Sequence, residues 1–353
     1  MSLSPQTKGV CHVCIGHRTE RIIPTWFLRS FAMLIAASFA SAGCNAPSFL
    51  ITPVTSSRNL VETVLQKETL FGGAKIVLIN VSGVLMNSEQ SQFFSRGEHP
   101  VSLLLEQLDK ARRDAAVKAV ILRINSPGGS VVASELMYDE INYFKKKTGK
   151  PVIALMMDVA ASGGYYIACA CDEIVAQPST VTGSIGVIMQ LFDVSNTMSK
   201  IGVRSEAITS GRMKDAGSPF RQMVPEERAL FQDIVNDMYE RFVKVVSAGR
   251  PKLNEAQVRK LADGRVFTAS QAKEVGLIDD IRTMRDTIKQ LKARIGADKI
   301  RLVTYHRPAN YKPNYYASAP LQNRGDVNLL KLDLSAWGHL GTPTFMYLWQ
   351  PGF

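Results

Sequence analysis

An α/β domain with a mostly parallel sheet is predicted by three observations on the 353-residue sequence. Apolar, β-branched runs alternate with segments of helical spacing, the pattern of βαβ units joined by right-handed crossovers. The apolar runs show no polar alternation, which fits strands covered on both faces. Hydrophobic residues make up 46% and charged residues 21% of the chain. That supports one large core or two small ones, and it excludes a chain disordered throughout. No segment is repeated, so one domain is predicted over 71–305, preceded by a leader at 1–44 and a tether at 45–70 and followed by an extended tail over 306–353.

The elements follow in order. KIVLINVSGVL (75–85) reads as the first strand, and VSLLLEQLDKARRDAAV (101–117) has the apolar spacing of a helix. KAVILRINSPGG (118–129) is a buried-type strand ending in a Pro-Gly-Gly turn. The helix over 130–150 has a basic last turn, suited to the helix dipole, and a glycine stop at Gly149. PVIALMMDVA (151–160) is another strand, and a short helix starts at Ser162. A short strand is predicted at 173–178, a glycine-bearing loop at 181–187 and a strand at 203–208. A glycine-flanked loop over 209–221 leads to a long helix at 225–248, then to shorter ones near 254–262 and 269–274.

The ends carry other signals. Arg18, Arg21 and Arg29 precede the apolar run FAMLIAASFA and the small residues SAGC, the order of an export signal. Gly43-Cys44 resembles a lipobox, with Ser41 where an aliphatic residue usually stands, so Cys44 is a candidate for lipidation. The apolar run is short for a membrane span. Export and attachment to a membrane are therefore expected, with the domain outside the cytoplasm. CHVC (11–14) with His17 has the residues of half a zinc site but no second pair, and it precedes the export signal. Cys169 and Cys171 are expected to pack as small apolar residues. The net charge of +11 is spread, without an arginine-rich stripe interleaved with aromatics, so nucleic-acid binding is not expected.

The chemistry is bounded by what is missing. The histidines are His12, His17, His99, His306 and His339, and none lies between Val101 and Tyr305. A Ser-His-Asp triad within the core is thereby excluded unless a flanking histidine folds back, and a histidine-ligated zinc is disfavoured. Lysine is the alternative base: burial in an apolar site disfavours the ammonium and leaves an amine able to take a proton. Ser162 lies where a strand meets a helix, so its hydroxyl would be presented at the end of a sheet, and the glycines after it leave room for another backbone. Lys214 lies between Gly211 and Gly217. Gly128 and Gly129 end a strand and start a helix, which leaves N–H groups for an oxyanion.

INSPGGS (124–130), ASGGYYIA (161–168), TGSIGV (182–187) and SGRMKDAGSPFR (210–221) resemble, in order and spacing, the short form of the signal peptide peptidase A family, with the likeness running from about 75 to 281. The resemblance implies a ClpP/crotonase-like fold of repeated ββα units with a helical extension for oligomerisation, and a Ser–Lys serine endopeptidase. Ser162 would be the nucleophile, Lys214 the general base, Ser184 the residue orienting the lysine, and Gly129, with Gly128, part of the oxyanion hole. No metal or other cofactor is implied. The resemblance also implies a homo-oligomeric ring or octameric dome, a serine and lysine that meet across a subunit boundary, and an apolar groove for cleaved signal peptides and other unfolded segments.

Each residue has a plainer alternative. Ser162 could cap a helix, Lys214 could be a surface charge, Ser184 a turn serine, Gly129 a turn glycine, and Tyr165 and Tyr166 core or groove lining. Two other functions share the fold: a crotonase-type acyl-CoA enzyme and a non-catalytic membrane scaffold. The chain ends in GTPTFMYLWQPGF, similar to the termini of short family members. Left unsupported, this run would expose an apolar patch. It is expected to dock in an active site as an extended strand.

Overall fold

The computed structural model describes residues 59–69, 72–88, 91–92, 95–96, 99–307 and 345–349. The expected export signal, Cys44, the Cys-x-x-Cys pair and most of the tail lie outside the described residues. Strands β1 (Val61–Lys67), β2 (Ala74–Ser82), β3 (Ser91–Gln92) and β4 (Ser95–Arg96) precede helix α1 (Pro100–Arg113). Then come β5 (Val117–Ser126), β6 (Gly128–Ser130), α2 (Val131–Thr148), β7 (Val152–Ala161) and the one-turn α3 (Gly163–Ala168). After β8 (Glu173–Ala176), β9 (Val181–Gly183) and β10 (Ile188–Met189) the chain turns helical, in α4 (Ser195–Lys200), α5 (Pro225–Gly249) and α6 (Glu255–Leu261). It continues through β11 (Val266–Thr268), α7 (Ala269–Glu274), β12 (Asp280–Ile281), α8 (Met284–Arg294) and β13 (Ile300–His306), and β14 (Phe345–Leu348) closes the described chain.

The main sheet runs β1-β13-β2-β5-β7-β8-β12. Every pair from β13 to β12 is parallel; the edge strand β1 runs antiparallel to β13, and on the side branch β11 runs antiparallel to β9. This is the parallel-dominated α/β fold that the sequence predicts. Alternate residues of the strands serve two cores. Val77, Ile79, Val120 and Leu122 pack with α1, α2 and α3 on one face. Ile76, Leu78, Ala119 and Ile121 pack with Met284, Ile288 and Leu291 of α8 on the other. Strands buried on both sides need apolar residues at every position, which is why their sequences carry no alternation.

Local signals set the helix ends. Pro100 opens α1, where its missing N–H goes unnoticed, and the His99 ring accepts from the Ser102 N–H. Gly149 closes α2 at φ 63°, donating to the Lys145 carbonyl.

Three segments differ from the expectations. Within 45–70, residues 61–67 form β1, which pairs with β13 and covers what would otherwise be an open edge. The 181–187 loop starts as a strand, because β9 lies parallel to the end of β7. Residues 203–208, expected as a strand, form none: Ile208 is fully exposed, and apolar spacing makes a strand only when a neighbour supplies the ladder.

Two tertiary features position the site. β7 changes partner along its length, pairing with β8 over residues 153–156 and with β9 over 159–161. The sheet therefore forks at residues 157–158, and the β9 branch ends one residue before Ser162. A second, three-stranded sheet has the order β10-β14-β6, so the terminal strand lies between two strands from the middle of the chain.

Candidate active site

Ser162 is the joint between β7 and α3. Its N–H donates to the Gly183 carbonyl at 2.7 Å, continuing the β7–β9 pairing, and its carbonyl accepts from the Tyr166 N–H at 2.8 Å. These two bonds hold a non-glycine residue at φ 52°, ψ −116°, a conformation that costs on the order of 1–3 kcal/mol and collects at functional sites. The residue is buried, and its Oγ has no hydrogen-bond partner among the described residues. A capping serine would bond the first turn of the helix, and this one makes no such bond. An unpartnered buried hydroxyl costs about 1–3 kcal/mol. The local structure thus leaves a buried hydroxyl unpartnered and gains no stability from it.

The glycines are required by close approach. A Cβ on Gly164 would lie 2.7 Å from the Ser126 carbonyl oxygen. Gly128, at φ 101°, has its Cα against Gly163, and a Cβ there would lie 2.7 Å from the Gly163 nitrogen. On Gly129 a Cβ would collide with the backbone of Leu85. Both conditions hold at once: the strand–helix turn is tight, and a second backbone presses on it.

That second backbone includes the chain's own terminus. β14 runs antiparallel to β6 with Tyr347 opposite Gly129 and Leu348 opposite Gly128, and antiparallel to β10 with Met346 opposite Ile188. The Trp349 N–H donates to the Pro127 carbonyl at 2.8 Å. Hydrogen-bonded and open pairs alternate in such a ladder, so Tyr347 and Gly129, two residues along, form a pair of the bonded kind. The Tyr347 carbonyl oxygen overlies Gly128 and lies 3.1 Å from the Cβ position of Gly163. A peptide carbonyl therefore occupies the glycine-lined spot beside Ser162.

Ser184 joins the same cluster. It sits at φ 50° just beyond the β9 residue that binds the Ser162 N–H, is buried, and donates its own N–H to the Arg265 carbonyl at 2.7 Å. Lys214 does not join it. Lys214 is exposed, its N–H donates to the Gly211 carbonyl at 3.0 Å, and its amine has no hydrogen bond or ion pair with a described residue. Within one chain, Ser162, Ser184, Gly128 and Gly129 come together and Lys214 stays outside. The desolvated amine expected from the sequence is not formed by the single chain. The two described histidines are engaged elsewhere: His99 caps α1, and His306 bonds Thr63 and the Arg307 carbonyl.

The Lys214 loop is nonetheless held. Arg221 spans Asp215, through Nε (2.8 Å) and Nη2 (2.9 Å), and the buried Glu227 in the first turn of α5, through Nη1 (3.1 Å) and Nη2. These bonds hold both carboxyls below their ordinary range. Sequence reading missed this clamp, although Asp215 and Arg221 stand inside the motif it singled out. Arg221→Ala is expected to lower kcat about 10–100-fold with little change in KM, since a misplaced loop costs rate before affinity. Arg221→Lys should restore only part of it, because an ammonium does not span two carboxylates. Steady-state kinetics decide; an unchanged kcat in Arg221→Ala overturns the assignment.

The aromatic residues divide as well. Tyr165 is core, its hydroxyl donating to the Leu277 carbonyl at 2.7 Å. Tyr166 lines the groove and stacks on Tyr347, with centroids 5.1 Å apart. Cys169 and Cys171 are free and buried, and burial pushes the Cys169 thiol up to about 12, so both pack as apolar residues.

The family model of peptidase family S49 matches residues 144–298. Over 231 residues the chain is 40% identical to a candidate signal peptide peptidase SppA of Enterococcus faecium, a match that covers 65% of this chain and 67% of the relative. It is 35% identical over 238 residues to a candidate protease of Methanocaldococcus jannaschii, covering 67% and 76% of the two. It is 38% identical over 215 residues to a chloroplastic serine protease, SPPA, of Arabidopsis thaliana, covering 60% and 31%.

Proposed function

We propose, given that this chain belongs to peptidase family S49, the signal peptide peptidase A family of serine peptidases, that it is a Ser–Lys endopeptidase whose serine and lysine meet between two copies. The observation that carries this reading is Ser162: a buried hydroxyl without a partner, at positive φ, beside a groove that takes an extended strand. Lys214 of a neighbouring copy takes the Ser162 proton as Oγ attacks the scissile carbonyl. The tetrahedral oxygen is held by the N–H groups of Gly129 and Gly163. When the C–N bond breaks, the lysine returns the proton to the leaving amine. Water then attacks the acyl-enzyme by the same route and frees Ser162. Ser184, buried beside Ser162, accepts or donates a hydrogen bond that orients the incoming amine.

A lysine facing water is protonated at neutral pH, so the base must be covered to work. The loops around Lys214 carry what would cover it: Phe192, Ile201, Ile208, Met213 and Phe220 are all exposed apolar side chains, a surface suited to another copy of this chain. A peptide strand in the groove favours a peptidase over an acyl-CoA enzyme. The substrates are extended segments such as cleaved signal peptides, and the chain is held at a membrane through its N-terminus. Among the described residues no helix is long and apolar enough to cross a membrane.

A fluorophosphonate tests the reading directly. The label is expected on Ser162 by peptide mapping, and Ser162→Ala should neither be labelled nor cleave peptides. A label on another serine, or full hydrolysis by Ser162→Ala, overturns it.

A further inference from the structure

Ser126 closes β5, two residues before the glycines of β6. It is fully buried, and its hydroxyl is bonded on both sides. Oγ accepts from the Gly128 N–H at 3.1 Å and donates to the Gly83 carbonyl at 2.6 Å. The first bond closes a serine turn, in which a side-chain hydroxyl binds its own backbone two residues on. Pro127, between the two, has no N–H and favours extended backbone at Ser126. The second bond reaches a different loop.

That loop, residues 83–85, runs along the side of β6 away from β14. The Gly83 N–H donates to the Asn125 carbonyl at 3.0 Å, the Leu85 N–H to the Gly128 carbonyl at 2.8 Å, and the Ser130 N–H to the Leu85 carbonyl at 2.7 Å. Gly128 and Ser130 thus turn their strand bonds toward Leu85. Successive strand residues bond to opposite sides. Gly129 therefore faces β14, with its N–H toward the spot where the Tyr347 carbonyl lies beside Ser162. In this frame the Ser126 hydroxyl is the side-chain pin that joins the 83–85 loop to the β6 turn. The Ser126 carbonyl also lies where a Cβ on Gly164 would meet it, at 2.7 Å, so the same residue abuts the turn that carries Ser162.

Resting on the proposed peptidase reading, the geometry points to Ser126 as a positioning residue for the tetrahedral oxygen: through Gly83 and Gly128, its hydroxyl fixes the Gly129 N–H where that oxygen develops. A donor aimed at developing charge is effective when it is set beforehand. Ser126→Ala leaves the Gly128 N–H and the Gly83 carbonyl without this partner in a place closed to water, and the β6 turn then shifts. Binding of a peptide is spread along the ladders of β6 and β10, whereas the oxygen depends on one N–H of β6 and one of the Ser162 turn. The loss therefore falls on the transition state. A serine that merely fills space makes a different prediction, since any side chain of its volume replaces it.

The full chain is compared with its Ser126→Ala and Ser126→Cys variants on two probes that carry the tail's own sequence. One is the substrate acetyl-Thr-Phe-Met-Tyr-aminomethylcoumarin, and the other is the aldehyde acetyl-Thr-Phe-Met-tyrosinal. With the aldehyde, Ser162 Oγ bonds to the carbonyl carbon, the hydroxyl proton passes to the lysine amine, and the former carbonyl oxygen takes the negative charge into the hole. Both variants are expected to lose about 10–100-fold in kcat with KM within about twofold, and to bind the aldehyde more weakly by the same factor as kcat/KM. Cysteine keeps the volume but is a weak hydrogen-bonding group. A parent kcat in Ser126→Cys, or a loss carried by KM with aldehyde affinity unchanged, overturns the positioning role and leaves the peptidase standing. A parent chain that neither cleaves the substrate nor binds the aldehyde overturns both. Should Ser126→Ala not fold, Ser126→Cys, which opens no void, decides by the same measures.

Discussion

Ser162→Ala chains mixed with Lys214→Ala chains should hydrolyse peptides that neither hydrolyses alone. Each variant by itself is expected to fall by at least about a thousandfold, as when one member of a catalytic set is removed. The mixture recovers because the two losses sit on different sides of an interface. A Lys214→Ala chain still presents an intact Ser162, and a Ser162→Ala neighbour still presents Lys214. In a ring of head-to-tail contacts, equimolar random mixing leaves about one interface in four with both groups, so about a quarter of the parent rate is expected. The basis is the geometry of the single chain: Ser162 buried with an unpartnered Oγ, Lys214 exposed on a loop braced by Arg221. Co-refolded or subunit-exchanged mixtures assayed on a fluorogenic peptide give the answer. Recovery near zero, with each variant correctly assembled, places serine and lysine in the same chain and overturns the shared site.

Removing the terminal strand should raise activity. A chain ended at Ala319 lacks β14, which fills the groove between β6 and β10 with Tyr347 fully enclosed. A tethered occupant competes at the high effective concentration its linkage provides. Its loss is expected to raise kcat/KM for a short peptide by about 10–100-fold, mainly through KM. Tyr347→Ala tests the same point with less disturbance, since truncating a buried aromatic typically removes about 3–5 kcal/mol of packing; it should give most of the same rise. Some loss of thermal stability accompanies either change, because the tyrosine ring completes the cluster of Tyr166 and Phe242. Equal kcat/KM for the full and shortened chains would mean that the strand leaves the groove freely in solution.

Parts of this were open to reading before any fold was known. The doubly covered strands announced themselves because burial on both faces demands apolar residues at every position, a local requirement written in consecutive residues. Ser162 stood out because a strand-to-helix joint followed by two glycines is a local pattern too, and the lack of histidine between Val101 and Tyr305 pointed away from a triad within the core. Resemblance across four motifs supplied the roles proposed for Ser184 and Gly129. The 203–208 run shows the opposite case. Its apolar spacing is that of a strand, yet a strand exists only where another backbone completes its hydrogen bonds, and no described residue does so here.

By itself the amino-acid sequence determined the α/β class, the order of the central strands and helices, and a serine delivered to the end of a sheet, since each depends on neighbours a few residues apart. Tertiary structure alone decided that β7 forks between β8 and β9 ahead of the serine, that Tyr347 lies in the groove, and that Lys214 remains outside its own chain's site. Those facts depend on which distant segments meet, and the contacts that set them are made by residues up to about two hundred positions apart, such as Gly129 and Tyr347.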